Sequence, residues 1–112
     1  MSRRSERVAS LLQNLLSEII MFELNDPIFK KFISITEIKI GDDLKKATVY
    51  FRVYDADPAE LESALSKAKG YIKKLLAERM TIKFLPDIEF KQDLREEEEK
   101  RLDELFARIK KS

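Results

Sequence analysis

The chain is 112 residues long, enough for one domain with a single core and too short for two independent ones. Hydrophobic residues make up 44% and charged residues 38%, which supplies a core under an unusually ionic surface and argues against disorder. Cysteine and histidine are absent, so disulfides, thiolate or imidazole metal ligands, a thiol nucleophile and a Ser-His-Asp triad are excluded, while a net charge of +1 does not by itself point to nucleic acid.

Met1 to Arg7 is polar and basic without the apolar run of a signal peptide, and no stretch approaches the roughly 20 apolar residues of a membrane span, so a cytoplasmic protein is expected. Val8, Leu11, Leu12, Leu15, Leu16, Ile19 and Phe22 recur at helical spacing and predict an amphipathic helix from about Ser5 to Glu23, ended by Asn25-Asp26-Pro27. Ile33 to Ile40 reads as a strand whose apolar phase slips between Ile35 and Ile38, the mark of a β-bulge. Gly41-Asp42-Asp43-Leu44 is turn chemistry. Lys46 to Tyr54 then alternates, with Ala47, Val49, Phe51 and Val53 on one face, so the two strands should form a hairpin.

Asp57-Pro58-Ala59-Glu60 is a helix start with a capping aspartate, a proline at the first helical position and a glutamate placed for a capping box. Leu61, Ala64, Leu65 and Ala68 give the buried face, and the pattern resumes in Ile72, Leu75 and Leu76 after Gly70, one of only two glycines. A glycine is disfavoured in a helix interior, so a kinked pair of helices is expected there. Thr81 to Leu85 and Ile88 to Phe90 flank Pro86 and predict an extended region with a third strand. A last helix should begin near Leu94, with a narrow stripe of Leu102, Leu105, Phe106 and Ile109 and with Glu96/Lys100, Glu97/Arg101 and Glu104/Arg108 as i,i+4 pairs. That helix is expected to dock loosely. The chain is therefore divided into a domain over 1–94 and a charged helix over 95–112.

Charge is unevenly distributed. From Ala64 to Phe84 there are six bases, Lys67, Lys69, Lys73, Lys74, Arg79 and Lys83, against one acid, Glu78, a local balance of +5. Arg3, Arg4 and Arg7 form a second basic group, while acids gather at Asp42-Asp43, Asp55 to Glu62 and Glu96 to Glu99. Lysines around a glycine at a helix break fit phosphate binding, with free N–H groups of the second helix pointing at the anion and Gly70 admitting close approach. A solvated lysine face with a packing glycine accounts for the same residues. Thr48, Tyr50, Arg52 and Tyr54 make an aromatic-basic stripe on the second strand that could stack bases, although Tyr and Thr are also simply good strand residues. Arg3, Arg7, Ser10, Asn14 and Ser17 line the polar side of the first helix. Asp42 and Asp43 favour a turn more readily than a magnesium site, and Glu96 to Glu99 read as a solvated helix start.

Arg7-Val8-Ala9 with Gln13, Asp26-Pro27, the strands around Asp43-Leu44 and Ala47, then Ala68-Lys69-Gly70, and Pro86 through Phe90 to Asp93, resemble in order and spacing the ribosome-binding factor A family. The resemblance covers about Arg4 to Ile109. It implies an α+β, type II KH-like fold of order αββααβ, with a helix-kink-helix and a C-terminal helix, in which Ala68 and Gly70 form the kink that replaces the usual Gly-x-x-G loop. It also implies a non-enzymatic, cytoplasmic factor that binds the small ribosomal subunit and its rRNA during late maturation. Such a factor aids 5′-end processing and cold adaptation, is released with the help of an assembly GTPase, and acts as a monomer without cofactor or metal. The expected RNA-binding residues are Arg3, Arg4, Arg7, Lys67, Lys69, Gly70, Lys73 and Lys74. Two departures stand out. Ile28 follows Asp-Pro where the family commonly has a base, and Glu96 to Glu99 occupy the start of the last helix where a glycine is often found. A small protein-protein interaction module is the alternative function, separable by salt-dependent RNA binding.

Overall fold

The computed structural model describes residues 2–111. Helix α1 spans Arg3–Phe22, a short helical turn covers Pro27–Lys30, strands β1 (Ile33–Ile40) and β2 (Lys46–Val53) follow, then α2 (Pro58–Arg79), β3 (Asp87–Gln92) and α3 (Arg95–Lys111). The sheet order is β1-β2-β3, with β1 antiparallel and β3 parallel to β2. The parallel pairing requires a crossover, and α2 provides it.

Alternation on β2 decides which face is covered. Ala47, Val49, Phe51 and Val53 are buried while Thr48, Tyr50 and Arg52 are half-buried on the other side. The buried row meets Leu12, Leu16 and Ile19 of α1 and Leu61, Leu65, Ile72 and Leu76 of α2 in one core. Both helices therefore lie on one face of the sheet, as the apolar periodicity predicts.

Local chemistry holds each element in place. Ser2 caps α1 by accepting a hydrogen bond from the Ser5 amide, and the Ser2 amide donates to Asp42 in the β1–β2 turn at 2.9 Å. That bond comes first among the causes that hold the Asp42 carboxyl below the usual aspartate range. Asp42 thus ties the start of α1 to the hairpin turn. In the same turn Leu44 adopts φ 58°, which is uncommon outside glycine, and its side chain packs against the core. Asp26 accepts from the Ile28 amide and Asp57 from the Ala59 amide, each just before a proline that opens a helical segment.

The bulge predicted in β1 lies between Ile35 and Glu37, leaving Thr36 as the extra residue. It re-aims that side chain. Thr36 Oγ1 donates to Asp93 Oδ2 at 2.6 Å, and Gln13 of α1 donates to the Ile35 carbonyl at 2.9 Å. Asp93 is only 4% exposed. Arg95 donates to it from its amide at 3.1 Å, from Nε at 3.0 Å and from Nη2 at 2.7 Å, and Arg52 Nη2 lies 3.6 Å away. These bonds, those from the Arg95 side chain first, keep the Asp93 carboxyl ionised far below the usual aspartate range despite its burial. Arg52 also pairs with Glu96 at 2.7 Å and Arg95 with Glu37 at 3.2 Å, so the first turn of α3 is pinned to the sheet. Beyond it Leu102, Leu105 and Phe106 are exposed.

Asp93→Ala should cost about 2–3 kcal/mol in urea unfolding, the scale of hydrogen bonds to a charged group. Because the folded-state pKa is depressed, that contribution is complete above the unfolded value of about 3.9 and is lost as pH falls towards the folded value. The stability gap between the two proteins should hold near neutral pH and narrow as pH falls below about 4. A gap that stays constant or widens on acidification would contradict this account.

Candidate nucleic-acid interface

Helix α2 runs without interruption from Pro58 to Arg79. The expected pair of helices is one helix, and the kink assigned to Ala68 and Gly70 is not a break in the chain's hydrogen bonding. The reason lies in the apolar stripe: Leu61, Leu65, Ala68, Ile72, Leu75 and Leu76 keep a helical phase straight through Gly70, and their burial outweighs a glycine penalty of about 1 kcal/mol. No second helix N-terminus exists at Gly70. The free N–H groups inferred there are therefore not available for phosphate. Gly70 has no positive φ, and a Cβ built on it meets nothing within 4 Å, so neither backbone strain nor packing requires a glycine.

What Gly70 does provide is a low point on an exposed crest. At about 100° per residue, Ser63, Ser66, Gly70 and Ala77 fall opposite the buried stripe, and Ser66, Gly70 and Ala77 are exposed while Ser63 is also open to solvent. Lys67 and Lys74 stand on one shoulder of this crest and Lys69 and Lys73 on the other, towards β3. The lysines predicted from sequence are thus brought together around Gly70, though by the face of a continuous helix rather than by a helix break.

Their electrostatic states differ. Lys69 pairs with Asp87 at the start of β3 at 3.3 Å, and this contact, with Lys73 and Lys46 further off, holds the Asp87 carboxyl below its ordinary value. Lys67, Lys73 and Lys74 form no ion pair with a described residue. The hollows beside the helix contain acids: Asp26 and Glu60 line one with Lys67, and Glu62 and Glu89 line the other with Lys69. An anionic polymer is therefore repelled from the hollows and attracted to the crest.

Arg3, Arg4 and Arg7 line a different groove, formed where α1 begins and shared with Val8, Thr81, Ile82 and Lys83. They do not share a groove with the α2 lysines. Sequence reasoning counted Lys83 in the basic stretch without seeing that it joins the arginines, because only tertiary packing brings the segment after α2 to the start of α1. The stripe on β2 is already engaged: Arg52 is held by Asp93 and Glu96, and Lys39 lies over the Tyr50 ring at 5.7 Å. Asp42 is used as a tie, and no group of three or more metal-ligating side chains occurs among the described residues.

A family model described as ribosome-binding factor A matches residues 4–106. The chain belongs to the ribosome-binding factor A family. A ribosome-binding factor A from Geotalea uraniireducens is 36% identical over the whole chain and 93% of its own length, and one from Halothermothrix orenii is 36% identical over 96% of the chain and 89% of its own. The crystal structure of ribosome-binding factor A from Thermus thermophilus superposes with a TM-score of 0.71 at 24% identity, over 78% of this chain and 92% of that one. A Thermus thermophilus homology model fitted into a cryo-EM map of a complex with the 30S subunit superposes with a TM-score of 0.63 at 26% identity, over 76% and 90%. The α+β architecture is accordingly the KH-like fold of ribosome-binding factor A. No helix among the described residues is long and apolar enough to cross a membrane.

Gly70→Ala should raise stability by about 0.5–1 kcal/mol, because the site is helical, exposed and sterically open. Thermal unfolding of the two proteins checks this. A loss of stability would show that the backbone at residue 70 departs from a regular helix.

Proposed function

We propose that the chain binds the small ribosomal subunit through its rRNA, with the crest of α2 as the principal contact. The observation that carries this reading is the row of small residues around Gly70, flanked by Lys67, Lys73 and Lys74, whose charges no carboxylate neutralises among the described residues. A phosphate backbone can lie close to such a surface and release counterions from the lysines. The relative fitted into a map of the 30S complex supports the same partner.

On this reading Lys69 contributes less than its three neighbours, since RNA must displace Asp87 to reach it. Arg3, Arg4 and Arg7 add positive charge elsewhere on the surface. The factor performs no reaction. Its binding free energy favours one arrangement of the RNA and so guides late maturation and 5′-end processing. The family resemblance extends the proposal to a monomeric cytoplasmic factor with a role in cold adaptation, released with the help of an assembly GTPase. On this proposal residues 1–94 are the RNA-binding unit, and the charged segment 95–112, pinned to the sheet through Arg95 and Glu96, supplies no RNA contact. A chain ended after Glu99, which keeps Arg95 and Glu96, should retain a cooperative unfolding transition.

Cosedimentation with purified small subunits across a salt series tests the main claim. Replacing Lys67, Lys73 and Lys74 together with Gln should weaken binding and lower the slope of log affinity against log salt by roughly 2 to 3. Lys69→Gln alone should change the slope by less than one of these. An unchanged slope in the triple variant would remove α2 from the interface and favour a protein-protein contact instead.

A further inference from the structure

Between α2 and β3 the chain exposes Lys83 and Phe84, which the α2 site does not use. Met80 and Pro86 are buried at either end of this segment, and Ile82 and Leu85 pack against the core. The Asp87 amide donates to the Lys45 carbonyl at 2.8 Å and fixes the far end. These anchors leave Lys83 and Phe84 outward. Phe84 is 77% exposed, and the Lys83 ammonium lies 5.6 Å from the centre of its ring.

Lys83 also lines the groove with Arg3, Arg4 and Arg7. Its lining holds four cations and no carboxylate, and none of the four forms an ion pair with a described residue. Unlike the hollows beside α2, this one carries a single sign of charge. Three of the four cations are arginines, whose planar forks suit phosphate oxygens. The apolar part of the floor, Val8 and Ile82, is too small to hold an apolar peptide.

We propose that this groove takes single-stranded RNA, with phosphates on Arg3, Arg4, Arg7 and Lys83 and one base stacked on Phe84. The proposal rests on the reading of the chain as an RNA binder and adds a second contact to it. An aromatic ring in water next to a polycationic groove matches the two parts of a nucleotide. The base covers apolar surface that the fold leaves exposed, and the ammonium moves from the ring to the adjoining phosphate. Single-stranded RNA is selected because a base inside a duplex has no free face to offer the ring.

The test is fluorescence anisotropy of a labelled ten-nucleotide oligoadenylate with the full chain, measured beside small-subunit cosedimentation. Phe84→Ala should weaken oligonucleotide binding by roughly 5- to 150-fold, the range given by one base-aromatic stack, with an unchanged salt slope. Phe84→Tyr should restore affinity. Arg3, Arg4 and Lys83 replaced together by Gln should weaken binding and lower the slope by roughly 2. A duplex of the same length should bind more weakly than the single strand. Thermal unfolding of each variant should match the parent, since all four side chains are exposed. Full oligonucleotide affinity in Phe84→Ala would overturn the stacking site while leaving the α2 reading intact. A parent chain that cosediments with subunits but does not bind the oligonucleotide would overturn it as well, and a parent that binds neither would overturn both readings.

Discussion

The sheet buries one face only, and that asymmetry sets the position of everything else. Val49 and Phe51 on β2 are fully enclosed, in one core with the apolar stripes of α1 and α2. Once α2 lies with Leu61, Leu65, Ile72 and Leu76 towards the sheet, helical geometry places Ser63, Ser66, Gly70 and Ala77 outward with the lysines on their flanks. The charged surface follows from the packing of the core.

Charge then separates by location. Carboxylates at Asp42, Asp87 and Asp93 have structural partners, joining helix to turn, helix to strand, and sheet to α3. Lys67, Lys73 and Lys74, and the arginines at the start of α1 with Lys83, are left without such partners among the described residues. Net charge hides this. A chain with +1 overall presents fields of one sign over two limited areas, which is what association with a polyanion requires.

Much of the fold was legible because the apolar phase carries it. The alternation of Ala47, Val49, Phe51 and Val53, the slip in β1 and the capping aspartate at 57 each follow from a local rule and appear in the structure. At Gly70 the expected pair of helices is a single helix. There a residue preference was weighed above a stripe whose phase never breaks, and burial won. The third strand expected in the extended region around Pro86 begins at Asp87, with Pro86 just before it, because Pro86 lacks the amide a ladder needs and is itself buried. The lysines on α2 could be named from sequence. The reduced availability of Lys69, the joining of Lys83 to Arg3, Arg4 and Arg7, and the burial of Asp93 beneath Arg95 could not, since each depends on contacts between residues distant in the chain or on a side chain folding back.

The central claim is that the outer face of α2 meets the RNA of the small subunit. Acetylation of lysines read by mass spectrometry, with and without purified small subunits, tests it on the unmodified chain. The account predicts that Lys67, Lys73 and Lys74 become protected in the complex while Lys100 in α3 reacts as before. Unchanged reactivity at the three α2 lysines, in a sample shown to be bound, would contradict it.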